Sequence, residues 1–201
     1  MLFSLGNLYA HLHGLRRVRT TLPASYPLRP YYETLALIGI ATWTLSAVFH
    51  TRDFAATEQA DYFAAGLSVL YGMFFAPVRI WRLYAPHPAW KPRVLRWWTW
   101  FCVGLYVCHV TYLKGVRWDY GYNMAANVAV GVVQNALWSW FSWTSFMRTG
   151  RLWTVLPGVV VAWVMVAMSL ELLDFPPIGG ALDAHSLWHL GTVGPTVIWY
   201  K

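Results

Sequence analysis

Charge is so sparse in this 201-residue chain that it leaves seven stretches with none at all. The uncharged windows are residues 1–15, 34–51, 62–78, 97–113, 120–147, 152–170 and 184–200. A helix rises about 1.5 Å per residue, so 17 residues cover about 25 Å, and flanking residues complete a bilayer crossing. The apolar residues run round every helix face rather than along one stripe, which suits lipid better than a soluble core. Trp97, Trp98, Tyr120, Tyr122, Trp199 and Tyr200 gather at window ends, where interfacial aromatics sit. Charged residues are 11% of the chain, against roughly 25% in an ordinary globular domain. That shortage excludes a soluble fold, and an apolar content of 58% excludes disorder. The two Cys exclude a disulfide scaffold. The expectation is an all-α, polytopic membrane protein. Residues 1–201 form a single seven-transmembrane-helix bundle, with the first helix cut short. Residues 1–15 lack the basic segment and small-residue cleavage site of a secretory signal, so they are read as helix.

The loops give the orientation. If the helices alternate in direction, one face collects Arg16, Arg17, Arg19, Arg29, Arg79, Arg82, Lys91, Arg93, Arg96, Arg148, Arg151 and Lys201. The other face has Arg52, Lys114 and Arg117, together with Asp53, Glu58, Asp61, Asp119, Glu171, Asp174 and Asp183. The positive-inside rule puts the basic face in the cytoplasm. The net charge of +7 is therefore a topology signal, and it does not call for a nucleic-acid partner.

The sequence has seven His. His11, His13 and His87 lie near the basic face and read as interfacial or solvated. His109 stands alone in the fourth window and reads as a packing residue. The other three form a pattern. His50 closes the second window at its acidic end. His185 and His189 are four apart at the acidic start of the seventh, so both rings share one helix face. Asp61 opens the third window, and Ser46 lies one turn below His50. Lys and Arg alone thus place five polar groups at one membrane level, where ionisable groups are costly and face a cavity or a partner. Three imidazoles and a carboxylate read as a metal site. Three protein ligands plus water is the arrangement of a catalytic zinc. A proton-handling site is the alternative. Each residue also has a plainer use: Ser46 as a bond to its own helix, Asp61 as an N-terminal charge, His185 and His189 as interfacial groups. Asp53 either orients a ligand His or pairs with Arg52. Asp183 either caps the seventh helix or supports His185. Gln134, Asn135, Asn123 and Asn127 read as interhelical hydrogen-bonding groups, and Glu171 and Asp174 as loop charges.

Ser46-Ala-Val-Phe-His50, Asp61 eleven residues later and His185-Ser-Leu-Trp-His189 together resemble the CREST superfamily of seven-helix membrane hydrolases, which includes the alkaline ceramidases and the progestin and adipoQ receptors. The longer strings SAVFHTRD (46–53), EQADYF (58–63), QNALW (134–138) and LELLDFPPIGGALDAHSLWHLGT (170–192) are similar to its Per-like branch. That branch comprises GPI-anchor lipid-remodelling, post-GPI-attachment phospholipases. The resemblance implies zinc held by His50, His185 and His189, with Asp61 and Ser46 catalytic beside it. It implies removal of the sn-2 acyl chain of GPI lipids carried by GPI-anchored proteins. It implies a multi-pass protein of the endoplasmic reticulum or Golgi membrane, with the site lumenal. Members of the branch usually carry a signal peptide and a Cys-containing lumenal region ahead of the first helix. By that resemblance both are missing here, and the chain is incomplete. The rival readings are a ceramidase-like amide hydrolase and an adipoQ-type receptor with a structural metal site. A Ser46 nucleophile with a His base leaves two His unexplained.

Overall fold

The computed structural model describes residues 1–173, 175–180 and 182–201, so Asp174 of the sequence reading lies outside the described residues. The described residues are all-α. They form α1 (Leu2–Thr21), α2 (Arg29–Phe49), α3 (Ala55–Ile80), α4 (Trp90–Gly115), α5 (Tyr120–Thr149), a 3-10 turn (Leu152–Val155) leading into α6 (Leu156–Leu173), and α7 (Ala184–Trp199). Each uncharged window lies within one helix or its immediate flanks, but most helices outrun their windows. α1 carries Arg16, Arg17 and Arg19 in its last turns. α3 begins at Ala55, six residues before Asp61, so Asp61 stands two turns inside the helix rather than at its start. Window edges mark where charge resumes. Long basic side chains at helix ends reach out of the apolar layer without breaking the helix.

Among the described residues, three helical stretches are long and apolar enough to cross a membrane: α2, α3 and Leu152–Leu173. α7 has 16 residues.

Consecutive helices are antiparallel. Thr42 Oγ1 donates to the carbonyl of Ala64, Trp98 Nε1 to that of Phe74, and Ser142 Oγ to that of Thr154. α1, α2, α3, α5, α6 and α7 pack in that order as a ring closed by α7 on α1, while α4 leans on the outside of α3. The ring is filled unevenly. Its core of Leu28, Phe75, Ala76, Val78, Trp138 and Val161 sits towards the basic end. The acidic end is filled by polar side chains.

Small residues set the helix spacings. α1 buries Ser4, Asn7, Ala10, Gly14 and Val18 along one face. His11 was expected to be solvated, but it seats on Gly39 of α2, and its Nδ1 lies 3.0 Å from the hydroxyl of Tyr200. A methyl group at Gly191 of α7 would stand 2.8 Å from the Cβ of Ala167, and one at Gly194 2.7 Å from the Trp163 ring. Lipid offers apolar tails no reason to prefer another helix, so such close backbone approach is a main source of attraction between helices. Gly191→Ala is expected to lower stability by about 1–3 kcal/mol, the usual cost of overpacking. Gly104→Ala on α4, where a methyl group meets nothing within 4 Å, should be neutral or stabilising. Thermal unfolding in detergent compares the two.

Candidate metal centre

The ends of α2, α6 and α7 meet at the acidic end of the ring, where His50, Glu171 and His185 come together. α7 starts at Ala184 because Asp183 caps it. Its Oδ1 accepts from the Ser186 backbone N–H at 2.7 Å, and the Ser186 hydroxyl donates back to the Asp183 carbonyl at 2.9 Å. The Ser186 backbone N–H holds the Asp183 carboxyl below the usual carboxylate range. Just before the cap, Ile178 and Leu182 exchange backbone hydrogen bonds across a tight turn. Gly179 and Gly180 there have φ of 62° and 71°, the left-handed region glycine tolerates. The last turn of α6, with Glu171, lies against the first turn of α7, with His185. α2 ends at His50, whose backbone N–H bonds the Ser46 carbonyl.

The three imidazoles expected to converge do so. The candidate ligand atoms of His50, His185 and His189 all lie within 4.8 Å of one another, and Nε2 of His50 is 3.4 Å from Nε2 of His185. Ring centroids are 5.2 Å apart for His50–His185, 5.1 Å for His50–His189 and 4.4 Å for His185–His189. Exposure is graded across the cluster. The His185 side chain is 47% exposed, while His189 is 7% exposed with the Trp43 ring edge-on to it at 5.0 Å. The cluster is open on one side and closed by protein on the other.

The donor set fits a metal. His185 Nδ1 lies 2.8 Å from Glu171 Oε2, and His189 Nδ1 lies 3.1 Å from Ser4 Oγ. The tautomer in which Nδ1 donates on both rings leaves each Nε2 lone pair free for an ion, the arrangement by which outer partners orient a ligating His. Nitrogens on a tetrahedral zinc, bonded at about 2.0–2.1 Å, stand about 3.3 Å apart. The His50–His185 spacing matches that. Three His in the described residues can therefore hold one ion.

Ser46 is 3% exposed, and its hydroxyl lies 3.2 Å from Ser4 Oγ rather than folding back on its own helix. Asp61 makes no hydrogen bond among the described residues, but it lies within electrostatic reach of His185. Asp53 is exposed and makes no hydrogen bond to His50. The carboxylate that accepts from His185 is that of Glu171, while Asp183 serves the helix cap.

The sequence reading passed over two residues. Ser4 and Asn7 of α1 are fully buried. Ser4 Oγ bridges Ser46 and His189, and Asn7 Nδ2 donates to the His189 carbonyl at 2.7 Å. The signal was available: two polar residues three apart share one helix face and interrupt an apolar window. Glu171, taken for a loop charge, lies in the last turn of α6 with its side chain 10% exposed.

A helical bundle with helices able to cross a membrane, carrying three clustered His at one end, is the class defined so far. The chain belongs to the Per1-like family, whose model matches residues 1–201. It is 41% identical over 196 residues to the Protein PER1 homolog of Schizosaccharomyces pombe, covering 95% of this chain and 57% of that one. It is 40% identical over 193 residues to the GPI-specific phospholipase A2-like PGAP3 of Bos taurus, covering 96% and 57%, and 40% identical to the Homo sapiens protein of the same name, covering 96% and 58%. The chain thus spans under three fifths of these relatives' length. No solved structure matches it.

If the cluster takes up added zinc, Ser4→Ala and Glu171→Gln are each expected to weaken that uptake by about 10–100-fold, the usual cost of losing an outer partner of a ligating His. Asp53→Ala should leave it unchanged. Competition against a chromophoric chelator measures all three.

Proposed function

We propose that this chain is the membrane region of a metal-dependent acyl-ester hydrolase that removes the sn-2 acyl chain of GPI-anchor lipids. In this reading all seven helices cross the bilayer. The basic end lies in the cytoplasm and the His cluster on the lumenal side of the endoplasmic reticulum or Golgi membrane. The observation that carries the proposal is the three-His cluster with Ser46 and Asp61 beside it. The names of the PGAP3 relatives supply the substrate class.

Depth supports a lipid ester as the reacting group. Ser46 and His189 lie about one turn, roughly 6 Å, below the ends of their helices. Acyl esters of a phospholipid sit at that level, while a glycan headgroup stays in water. His50, His185 and His189 would hold the ion. A bound zinc supplies Lewis acidity, which polarises an ester carbonyl and brings the pKa of water towards about 7. Asp61 is the base. It takes a proton from water as that water attacks the acyl carbon, then gives the proton to the glycerol oxygen as the C–O bond breaks. The products are a free fatty acid and a lyso lipid. Ser46 donates its hydroxyl to the oxygen that gains charge at the acyl carbon. Ser4, bonded to both Ser46 and His189, fixes the distance between the group that stabilises charge and a group that holds the ion.

Asp61→Asn should retain zinc yet lose about 10²–10⁴-fold in turnover, the usual contribution of general acid–base catalysis. His189→Ala, or chelation of the wild type, should abolish turnover. Release of fatty acid from a defined GPI lipid in nanodiscs is the readout, with ceramide in a parallel arm. Full activity after both His189→Ala and chelation would remove the metal from the mechanism. Cleavage of ceramide alone would replace the ester with an amide. An Asp61→Asn protein with unchanged turnover would leave the metal a structural role.

A further inference from the structure

At the end of the bundle opposite the His cluster, a cavity of about 140 Å³ opens between α2, α3, α5, α6 and α7. Its walls include Arg79, Lys201, Trp138, Phe141, Trp153 and Trp199. Three observations give this cavity the character of an anion site. Arg79 is half-buried with its guanidinium 5.6 Å from the centre of the Phe141 ring, yet it has no carboxylate partner among the described residues. Among the described residues the one acidic side chain at this end, Glu33, is already engaged by Arg29 at 2.8 Å and Arg19 at 3.7 Å. Lys201 lines the same cavity, and its ammonium makes no ion pair among the described residues. Cations set among aromatic rings with no carboxylate beside them call for oxygen acceptors carrying negative charge.

The rest of the wall restricts what can bring that charge. Most of the lining is aromatic or aliphatic, and it runs onto the outward side of α6, where Trp153 and Leu156 are 58% and 43% exposed. A ligand with a charged head and apolar chains matches both surfaces. Basic cavities between transmembrane helices on the cytoplasmic side take anionic headgroups. The volume is many times that needed for one water, enough for a phosphate group whose acyl chains remain in the bilayer.

We propose that this cavity is a binding site for the phosphate of one anionic glycerophospholipid from the leaflet facing the basic end, with Arg79 and Lys201 as its cations. The site is independent of the hydrolytic reading. α7 carries both, with His185 and His189 at its start and Trp199 at its end.

Native mass spectrometry of the full chain in detergent, with thermal unfolding alongside, tests the site. The additions are phosphatidylserine, phosphatidylinositol, phosphatidylcholine and inorganic phosphate in separate arms. One anionic phospholipid per chain should be retained and should raise the unfolding temperature. Arg79→Gln should lower its retention at least tenfold, and Arg93→Gln, an exposed charge on the peripheral α4, should not. Lys201→Gln, which removes the second cation of the lining, should lower retention too, and it stands in for Arg79→Gln where that variant does not fold. Equal retention by the wild type and these variants would overturn the proposal, as would phosphatidylcholine bound as well as phosphatidylserine. A full thermal shift from inorganic phosphate alone would assign the site to a free anion and overturn the lipid.

Discussion

The hydrogen bond from the Asn7 amide to the His189 carbonyl, 182 residues apart and fully buried on the Asn7 side, is the contact on which the rest of the ring turns. It joins the first helix to the last. Without that closure α2 and α7 need not face each other, and His50 would not meet His185. A buried amide donor in an apolar layer has no water to fall back on, so it is strongly held to the acceptor it finds. The carbonyl belongs to a candidate ligand residue, and one turn earlier on α1 Ser4 binds that residue's ring. Backbone and ring of His189 are thus fixed by two side chains of one helix face. Polar pairing here serves folding and the metal centre with the same atoms.

The bundle divides along its length. Towards the basic end, large side chains such as Phe75 and Trp138 fill the ring and hold it by packing. Towards the acidic end, Ser4, Ser46, Asn7 and His189 fill it with groups that bond one another. α7 belongs to both halves. Asp183 caps its start, Gly191 and Gly194 let it lie close on α6, and Tyr200 just beyond it packs over Gly14 and meets His11. Its position is therefore fixed at three heights, which suits a helix that delivers two of the three clustered His.

Much of this could be read from the sequence because it depends on charge and on spacing within one helix. Charge-free windows located all seven helices. The loop charges put His50, His185, His189, Ser46 and Asp61 at one level. The i, i+4 rule paired the two His of α7. Ser4, Asn7 and Glu171 depend instead on which helices become neighbours and how each is rotated. A single Ser or Asn in an apolar window has many uses, and nothing local says that α1 packs against α7. The same limit hid the peripheral place of α4, whose window looks like the others. Helix starts were misjudged for a simpler reason. Charge marks the edge of the apolar layer, whereas a helix such as α3 stops only where its backbone bonds stop. Thr57 secures that start by bonding the Phe54 N–H, outside the window altogether.

Asp61 differs from His185, His189 and Ser46 in how its side chain is held. His185 is bonded to Glu171, His189 to Ser4, and Ser46 to Ser4, while Asp61 makes no hydrogen bond among the described residues. Groups that hold an ion or steady a developing charge work best when their orientation is fixed before the reaction, because no energy is then spent arranging them. A proton-transfer group has the opposite need. It must accept a proton at one oxygen and surrender it at another, so partners that locked its carboxylate would hinder one of the two steps. The tethered His and Ser and the untethered Asp61 thus divide as the proposed hydrolysis requires, which favours Asp61 over the well-anchored Glu171 as its base.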